Sequence, residues 1–490
     1  MRRKCLMLFL TLICLTTTSF GQKDFKNIEN FNGRVTIPLK YGSKHPGKRM
    51  DEAMNRWRAH GLGQFIHWGV YAIPGGYWEG EHYGSAAEWI RVWKNIPNEA
   101  YDKLYQEFNP TKFDAKKWAK QAKDMGAKYM IFTTKHHDGF CLWPSKYSDY
   151  TIANSPYKKD IVKEVVDAYT AEGIDVILYF SVMDWNQGGW KYPVPTTEKD
   201  KKEWEEFKQF TRNQLLELVN NYPSITGLWF DGTWDNAWVN EAEFALDLEN
   251  ELKEISPDLI IGSRFRADEF GNRQYDANGD LIGDYDQTWE RDIPVSIDQL
   301  CGNDWDCAMT IPENGWGYDA TWSSYVKKPA ELIEMISQCA SMGGNFVLNF
   351  GPDGLGNIRS EETHIAAEIG KWMKTNGEAI YGSEPVTDIV KQDWGYMTRK
   401  DDNLYLHVYK MPFSKVLKIE FNRKTYVPGE IEVLTSGEVF TIEDAGRNKQ
   451  NNRLFNLLVP SNFKPDAPFV IKMNLIDNSG DKDAYHQAKT

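Results

Sequence analysis

Short apolar runs alternate with amphipathic stretches through the first three quarters of the chain, and the two patterns predict different elements. Apolar runs of strand length stand at Leu62–Trp68, Lys128–Lys135, Asp175–Val182, Thr226–Asp231, Leu259–Phe265 and Asn345–Gly351. Between them, apolar residues recur at helical spacing over Asp114–Met125, Asp160–Ala171, Lys202–Asn221, Glu241–Ile255 and Ala330–Ser341, with one more helix at Ala367–Thr375. Such alternation, kept up for about 300 residues, predicts βαβ units around a parallel sheet. Polar residues collect just after the carboxyl ends of the apolar runs: His67, His136-His137-Asp138, Asp184 and Asp231. A β/α barrel carries its chemistry there, whereas a doubly wound sheet would show a glycine-rich phosphate loop after its first strand, which this chain lacks. From about Glu384 the pattern changes to short β-type runs separated by turn residues: Leu404–Val408, Leu417–Phe421, Glu430–Leu434, Leu454–Val459 and Phe469–Met473. The predicted fold class is α/β, an irregular (β/α) TIM-like barrel followed by a C-terminal antiparallel β-sandwich. The expected divisions are a signal peptide over 1–21, the catalytic barrel over 22–383, the sandwich over 384–476 and a polar tail over 477–490.

Charge and composition narrow the function classes. The 490 residues carry a formal net charge of −13, which gives no general attraction for a phosphate backbone and argues against nucleic-acid binding. Aromatic residues make up 14%, including 19 Trp, the side chain that packs best on the C–H faces of sugars. The first residues read as an export leader: basic Arg2, Arg3 and Lys4, a mostly apolar stretch from Cys5 to Cys14, and small Ser19 and Gly21 before a cut at Gln22. The stretch is too short to span a bilayer and nothing like it recurs, so export to the periplasm or the exterior is expected, with no membrane span. Cys14 is a poor lipidation site because bulky Ile13 precedes it. Beyond the leader only Cys141, Cys301, Cys307 and Cys339 remain, which is neither a disulfide framework nor a zinc pattern. Free buried thiols are expected, with a Cys301–Cys307 bridge as the alternative in an oxidising compartment.

The candidate chemistry lies in the barrel half. Thr226–Gly232 is an apolar strand ending in Asp231 and a glycine, which aims a carboxylate into a barrel mouth and leaves room for a substrate to approach; a helix-capping Asp is the plain alternative. His67 ends the first run in the same way, although a lone histidine there is more often a hydrogen-bonded core residue. His136-His137 suggests a metal, but neighbouring strand residues point to opposite faces, so no metal or other cofactor is expected. Several His, Glu, Trp and Tyr around one mouth better suit direct hydrogen bonding to hydroxyls.

These residues carry a resemblance. Gly63–Gly69, Glu88-Trp89, Thr134–Phe140, Trp229–Gly232, Trp316-Gly317-Tyr318, Gly344–Asn349 and Asn376–Gly382 occur in the order found in glycoside hydrolase family 29, the retaining α-L-fucosidases. The resemblance implies a barrel with a C-terminal β-sandwich, no cofactor, and release of terminal α-L-fucose from a fucosylated oligosaccharide or glycoconjugate. It implies that Asp231 is the nucleophile, and that His67, Glu88, Trp89, His136, His137, Tyr179, Trp229, Arg264 and Trp316 hold the sugar. Family members tend to carry Trp-Glu before the Trp-Gly-Tyr motif, the Glu being the acid/base. Trp305-Asp306 is matched to that pair, so an Asp stands where Glu is expected. Its shorter side chain retracts the carboxyl by roughly 1.5 Å, against a required carboxyl separation of about 5–5.5 Å. Asp306 is the first choice of acid/base, with Glu290 and Glu313 as alternatives. An impaired acid would also suit a fucose-binding protein on an enzyme scaffold, and a glycosidase for a fucose-like sugar such as L-galactose is a third reading. Neither the glycan linkage nor the oligomeric state is legible in the sequence.

Overall fold

The computed structural model describes residues 48–477 apart from 277, 314, 422–425 and 466–467. The expected leader and nearly all of the expected tail lie outside the described residues. Eight strands make one parallel sheet: β1 (Leu62–Ile66), β2 (Tyr129–Lys135), β3 (Asp175–Ser181), β4 (Gly227–Asp231), β5 (Ile260–Ile261), β6 (Asp286–Glu290), β7 (Trp305–Thr310) and β8 (Asn345–Phe350). Their order is β5-β4-β3-β2-β1-β8-β7-β6, with β1 and β8 paired in the middle. The free edges meet through two backbone bonds only, Ser263 N–H to the Tyr285 carbonyl at 2.9 Å and Asp284 N–H to the Ile261 carbonyl at 2.8 Å. These complete an irregular barrel with a thin seam between β5 and β6.

The inward positions form one cluster that includes Phe65, Ile131, Ile177, Trp229, Ile260, Ala308 and Val347, while the outward positions pack under the helices in a second and larger one. Helices α1 (Ala115–Met125), α2 (Ile161–Ala171), α3 (Glu198–Asn221), α4 (Ala242–Ile255), α5 (Pro329–Ser341) and α6 (Ser360–Asn376) follow the predicted apolar spacing. Each of the first three starts at a side-chain cap that satisfies free backbone N–H groups: Asp114, Asp160 and Thr197.

The strand reading differs from the structure in four places, the smallest being an unmarked hairpin of Tyr77–Trp78 and Glu81–His82. β6 and β7 were not predicted, because their sequences, Asp286-Gln-Thr-Trp-Glu290 and Trp305-Asp-Cys-Ala-Met-Thr310, place polar residues at buried positions and hide the apolar signal. The run Leu259–Phe265 pairs only at Ile260–Ile261, after which Ser263–Arg266 coils into a 3₁₀ turn. The C-terminal part contains three strands that the sequence pattern did not mark, Glu384–Pro385, Gly395–Lys400 and Thr441–Arg447; the last is exposed along nearly its whole length, so it has no buried face to produce alternation. There, a five-stranded and a three-stranded antiparallel sheet enclose a separate core containing Leu406, Leu417, Phe455 and Ile471.

Candidate active site

Asp231 is the last residue of β4 and its carboxylate stands in the barrel mouth, with a side chain 14% exposed. Oδ2 accepts a hydrogen bond from the Tyr179 hydroxyl at 2.8 Å, and Oδ1 accepts one from Arg264 Nη1 at 3.2 Å. Burial raises the Asp231 pKa, and the Arg264 charge and the Tyr179 bond oppose that rise. Gly232 adopts a left-handed φ of +66°, and a Cβ there would stand 2.5 Å from Met183 Cβ. The glycine is therefore required by the turn and by packing against the end of β3, rather than by the approach of a substrate.

The same Arg264 nitrogen donates to Glu290 Oε2 at 3.0 Å. Since both carboxylate oxygens touch one nitrogen, at 3.2 and 3.0 Å, they lie no further apart than the sum of those distances, about 6.2 Å. Glu290 closes β6 as Asp231 closes β4, and the Trp-Glu pair of the family pattern is present here, as Trp289-Glu290.

Asp306 occupies a different place. It is the second residue of β7, four residues before the strand's carboxyl end, which at about 3.3 Å per residue is roughly 13 Å below the mouth. Its carboxyl is buried inside the barrel floor, near the hydroxyls of Tyr129 and Tyr285, and burial pushes its pKa well above the ordinary carboxylate range. The match of Trp305-Asp306 to Trp-Glu is thus overturned by position. Glu313 also stays apart from Asp231: its carboxylate pairs with Lys327 at 3.0 Å and is half exposed.

Three imidazoles line the mouth, and the bonds at their backs set two of the tautomers. Asn349 Nδ2 donates to the Trp316 carbonyl at 2.7 Å, so its Oδ1 accepts from His67 Nδ1–H at 2.7 Å. Ser181 Oγ donates to the Met183 carbonyl at 2.6 Å and so accepts from His137 Nδ1–H, also at 2.6 Å. Both rings therefore present a bare Nε2 lone pair. Burial holds His67 and His137 neutral, with pKa values lowered to about 3, and holds His136 well below its ordinary value. His136 and His137 do not alternate across a sheet, because β2 ends at Lys135; their ring centroids are 4.3 Å apart. One donor atom each from His136, His137 and Asp231 lies within 4.8 Å of the others, so the alternation argument against shared ligation does not hold here.

The remaining predicted residues complete the walls. Glu88 is fully buried and accepts from Gly317 N–H at 2.9 Å and Trp316 N–H at 3.4 Å; burial raises its pKa to about 6, against the pull of those two bonds. Gly317 is needed for that contact, since a Cβ would stand 2.7 Å from the Tyr71 ring and 3.2 Å from the Glu88 carboxylate. Trp89 packs edge-on to His137 at 5.0 Å, Trp316 lies 4.9 Å from His67, and Trp229 stacks on Tyr179 at 5.3 Å with the Arg264 guanidinium 5.0 Å from its ring. His136 Nδ1, Trp229 Nε1 and Arg264 Nε are buried in this region without a hydrogen-bond partner in the protein, which leaves them free to meet a polar guest.

The sequence reasoning passed over Asn349 and Ser181, which orient two of the imidazoles; each is a polar residue near a strand's carboxyl end, the signal that marked His67 and Asp231. The thiols are free, as expected, but Cys301 is exposed on a turn rather than buried, and Cys307 is buried on the helix side of β7 against the Asp292 carbonyl, so no bridge joins them.

Comparison with known proteins agrees with this geometry. The sequence profile of the family described as alpha-L-fucosidase matches residues 34–378. The chain is 30% identical over 400 residues to the plasma alpha-L-fucosidase of Homo sapiens, covering 77% of this chain and 80% of that one. It superposes with a TM-score of 0.83 and 47% identity on an alpha-L-fucosidase from Bacteroides thetaiotaomicron trapped as a covalent intermediate in complex with 2-fluoro-fucosyl fluoride, covering 90% of this chain and all of that one. A bacterial fucosidase solved with a dihydroxy-methylpyrrolidine triazole inhibitor gives a TM-score of 0.84 at 46% identity, with 91% and 99% of the two chains covered. With the matched profile spanning most of its length and the mouth built as described, the chain belongs to the α-L-fucosidase family, glycoside hydrolase family 29.

Proposed function

We propose that this protein is an exported retaining exo-α-L-fucosidase that releases terminal α-L-fucose from glycans, with Asp231 as nucleophile and Glu290 as acid/base. The observation that carries the assignment is the single Arg264 nitrogen held between the two carboxylates. A ceiling of about 6.2 Å on their separation fits a retaining pair, at about 5–5.5 Å, and falls short of the roughly 6.5–9.5 Å that an inverting enzyme needs for its water.

In the first step Asp231 attacks the anomeric carbon, forming its C–O ester bond as the glycosidic C–O bond breaks, and Glu290 gives its proton to the leaving oxygen. In the second step Glu290 takes a proton from water, whose oxygen attacks the same carbon and releases Asp231. Tyr179 and Arg264 fix the orientation of the Asp231 oxygens. The Nε2 atoms of His67 and His137 accept hydrogen bonds from sugar hydroxyls, and Glu88 holds the loop that carries Trp316 against the pocket. Reassigning the acid from Asp306 to Glu290 removes the reason for a binding-only reading. The leader motif supports export to the periplasm or beyond.

The test is hydrolysis of an aryl α-L-fucoside followed by NMR of the first-formed product. α-L-Fucose is expected. Asp231→Ala should abolish turnover, and azide should restore part of it as β-fucosyl azide by direct attack. First-formed β-fucose, or near-normal turnover by Asp231→Ala without azide, would overturn the assignment.

A further inference from the structure

His137 Nε2 and Asp231 Oδ2 face each other at 3.6 Å, and in the neutral ring the Ser181 bond places the single proton on Nδ1. Two acceptors so placed repel each other unless a donor or a cation comes between them. A sugar hydroxyl can serve, but so can a metal ion. A nitrogen of His136 is the third member of the cluster, within 4.8 Å of both, and its Nδ1 is buried without a partner. Two neutral imidazoles and one carboxylate make a donor set for zinc-class ions, not for calcium or magnesium, which prefer oxygen alone. Donors on a tetrahedral zinc at about 2.0–2.2 Å stand roughly 3.4 Å apart, so small side-chain rotations close the present spread. His137 already has the back-bonded Nδ1–H that orients metal-binding histidines, here to Ser181.

We propose that His136, His137 and Asp231 form a binding site for a borderline divalent cation of the zinc class, and that its occupation excludes the sugar. The ion takes the Asp231 oxygen away from the anomeric carbon and the His137 lone pair away from a hydroxyl, so it acts as a competitive inhibitor and has no part in turnover. The Arg264 guanidinium on Oδ1 opposes the ion's charge, and Oδ2, which accepts one hydrogen bond from Tyr179, keeps its second lone pair for the ion. The inhibitory consequence rests on the fucosidase reading; ion binding does not.

The experiment uses the full chain stripped of trace metal by a chelator. Zinc titrated in a calorimeter should bind with a stoichiometry of one, cobalt(II) should give a visible d–d band, and magnesium and calcium should give neither signal at the same concentration. Saturating L-fucose should weaken zinc binding in the unmodified protein, and zinc should inhibit aryl fucoside hydrolysis competitively. Ser181→Ala keeps all three donors but loses the orienting bond, and should weaken zinc by about 10–100-fold. The proposal is overturned if zinc gives no heat and cobalt no band, or if binding persists unchanged in His136→Gln/His137→Gln. It also fails if fucose binds but does not compete. If fucose itself gives no heat, the fucosidase reading falls, and the histidine variants alone decide the ion site.

Discussion

Removing the carboxyl of Glu290 separates the present assignment from its rival more sharply than any other change. General-acid help to a poor sugar leaving group is typically worth about 10²–10⁴-fold, or about 2.7–5.4 kcal/mol of barrier at 1.36 kcal/mol per decade. Glu290→Ala should lose that much on a fucosylated oligosaccharide. An activated aryl leaving group departs with little protonation, so formation of the fucosyl-enzyme from aryl fucoside should slow only mildly. Breakdown of that intermediate should then limit turnover, and azide should accelerate it to give α-fucosyl azide, the stereochemical opposite of the product from Asp231→Ala. Asp306→Asn provides the contrast. Its carboxyl lies roughly 13 Å along the strand from the mouth end, and burial favours its neutral form, which an amide of the same shape imitates. Rates on both substrates should stay near wild type, with stability changed by about 1 kcal/mol at most. The assay is initial-rate kinetics of both variants on both substrates, with product configuration read by NMR. A large loss on oligosaccharide in Asp306→Asn, together with normal kinetics in Glu290→Ala, would refute the reasoning.

Three further outcomes follow from the same geometry. Asn349→Leu removes the acceptor for His67 Nδ1–H and frees the tautomer, so KM for aryl fucoside should rise while circular dichroism stays native. His67 and His137 titrate at about 3 when folded against an ordinary 6.5, so between those values the unfolded chain binds protons that the folded one refuses. Stability should therefore fall as pH drops below about 6.5, by about 1.36 kcal/mol per pH unit for each ring, and urea unfolding of His67→Gln should show a shallower slope; an unchanged slope would sink the argument. Dialysis against EDTA should leave the rate unchanged or slightly higher, and a loss restored by one divalent ion would make a metal part of turnover.

Much of the barrel was legible because parallel strands buried on both faces read as continuous apolar runs: the stretches around β1, β2, β3, β4 and β8 announce themselves in this way. β6 and β7 do not, since Asp286, Gln287, Asp306 and Thr310 are all buried polar residues, held by partners or enclosure that no local pattern reveals. That failure led directly to the other. With β6 unseen, Glu290 was not at the carboxyl end of anything, and the family motif alone directed attention to Trp305-Asp306, whose carboxyl the fold places low in the barrel. The residues gathered around Asp231 were readable from motif and position. Their tautomers were not, because Asn349 lies 282 residues from His67 and Ser181 lies 44 from His137. The alternation rule misjudged His136 and His137 for a simpler reason, as it applies only inside a strand and β2 had already ended.

The seam between β5 and β6 makes the barrel a hoop with one light joint, fastened by two backbone bonds and flanked by the short pairings β4–β5 and β6–β7, where the far side has longer ladders. Arg264 rises from the β5 side of that joint, and its guanidinium reaches Asp231 on one flank and Glu290 on the other. It acts mechanically as a strap across the gap. Any spreading of the hoop would change the distance between the two carboxylates, the dimension on which the proposed retaining mechanism depends. A lysine could supply the charge at this position but, as a single point without a planar fork, would hold the gap less firmly.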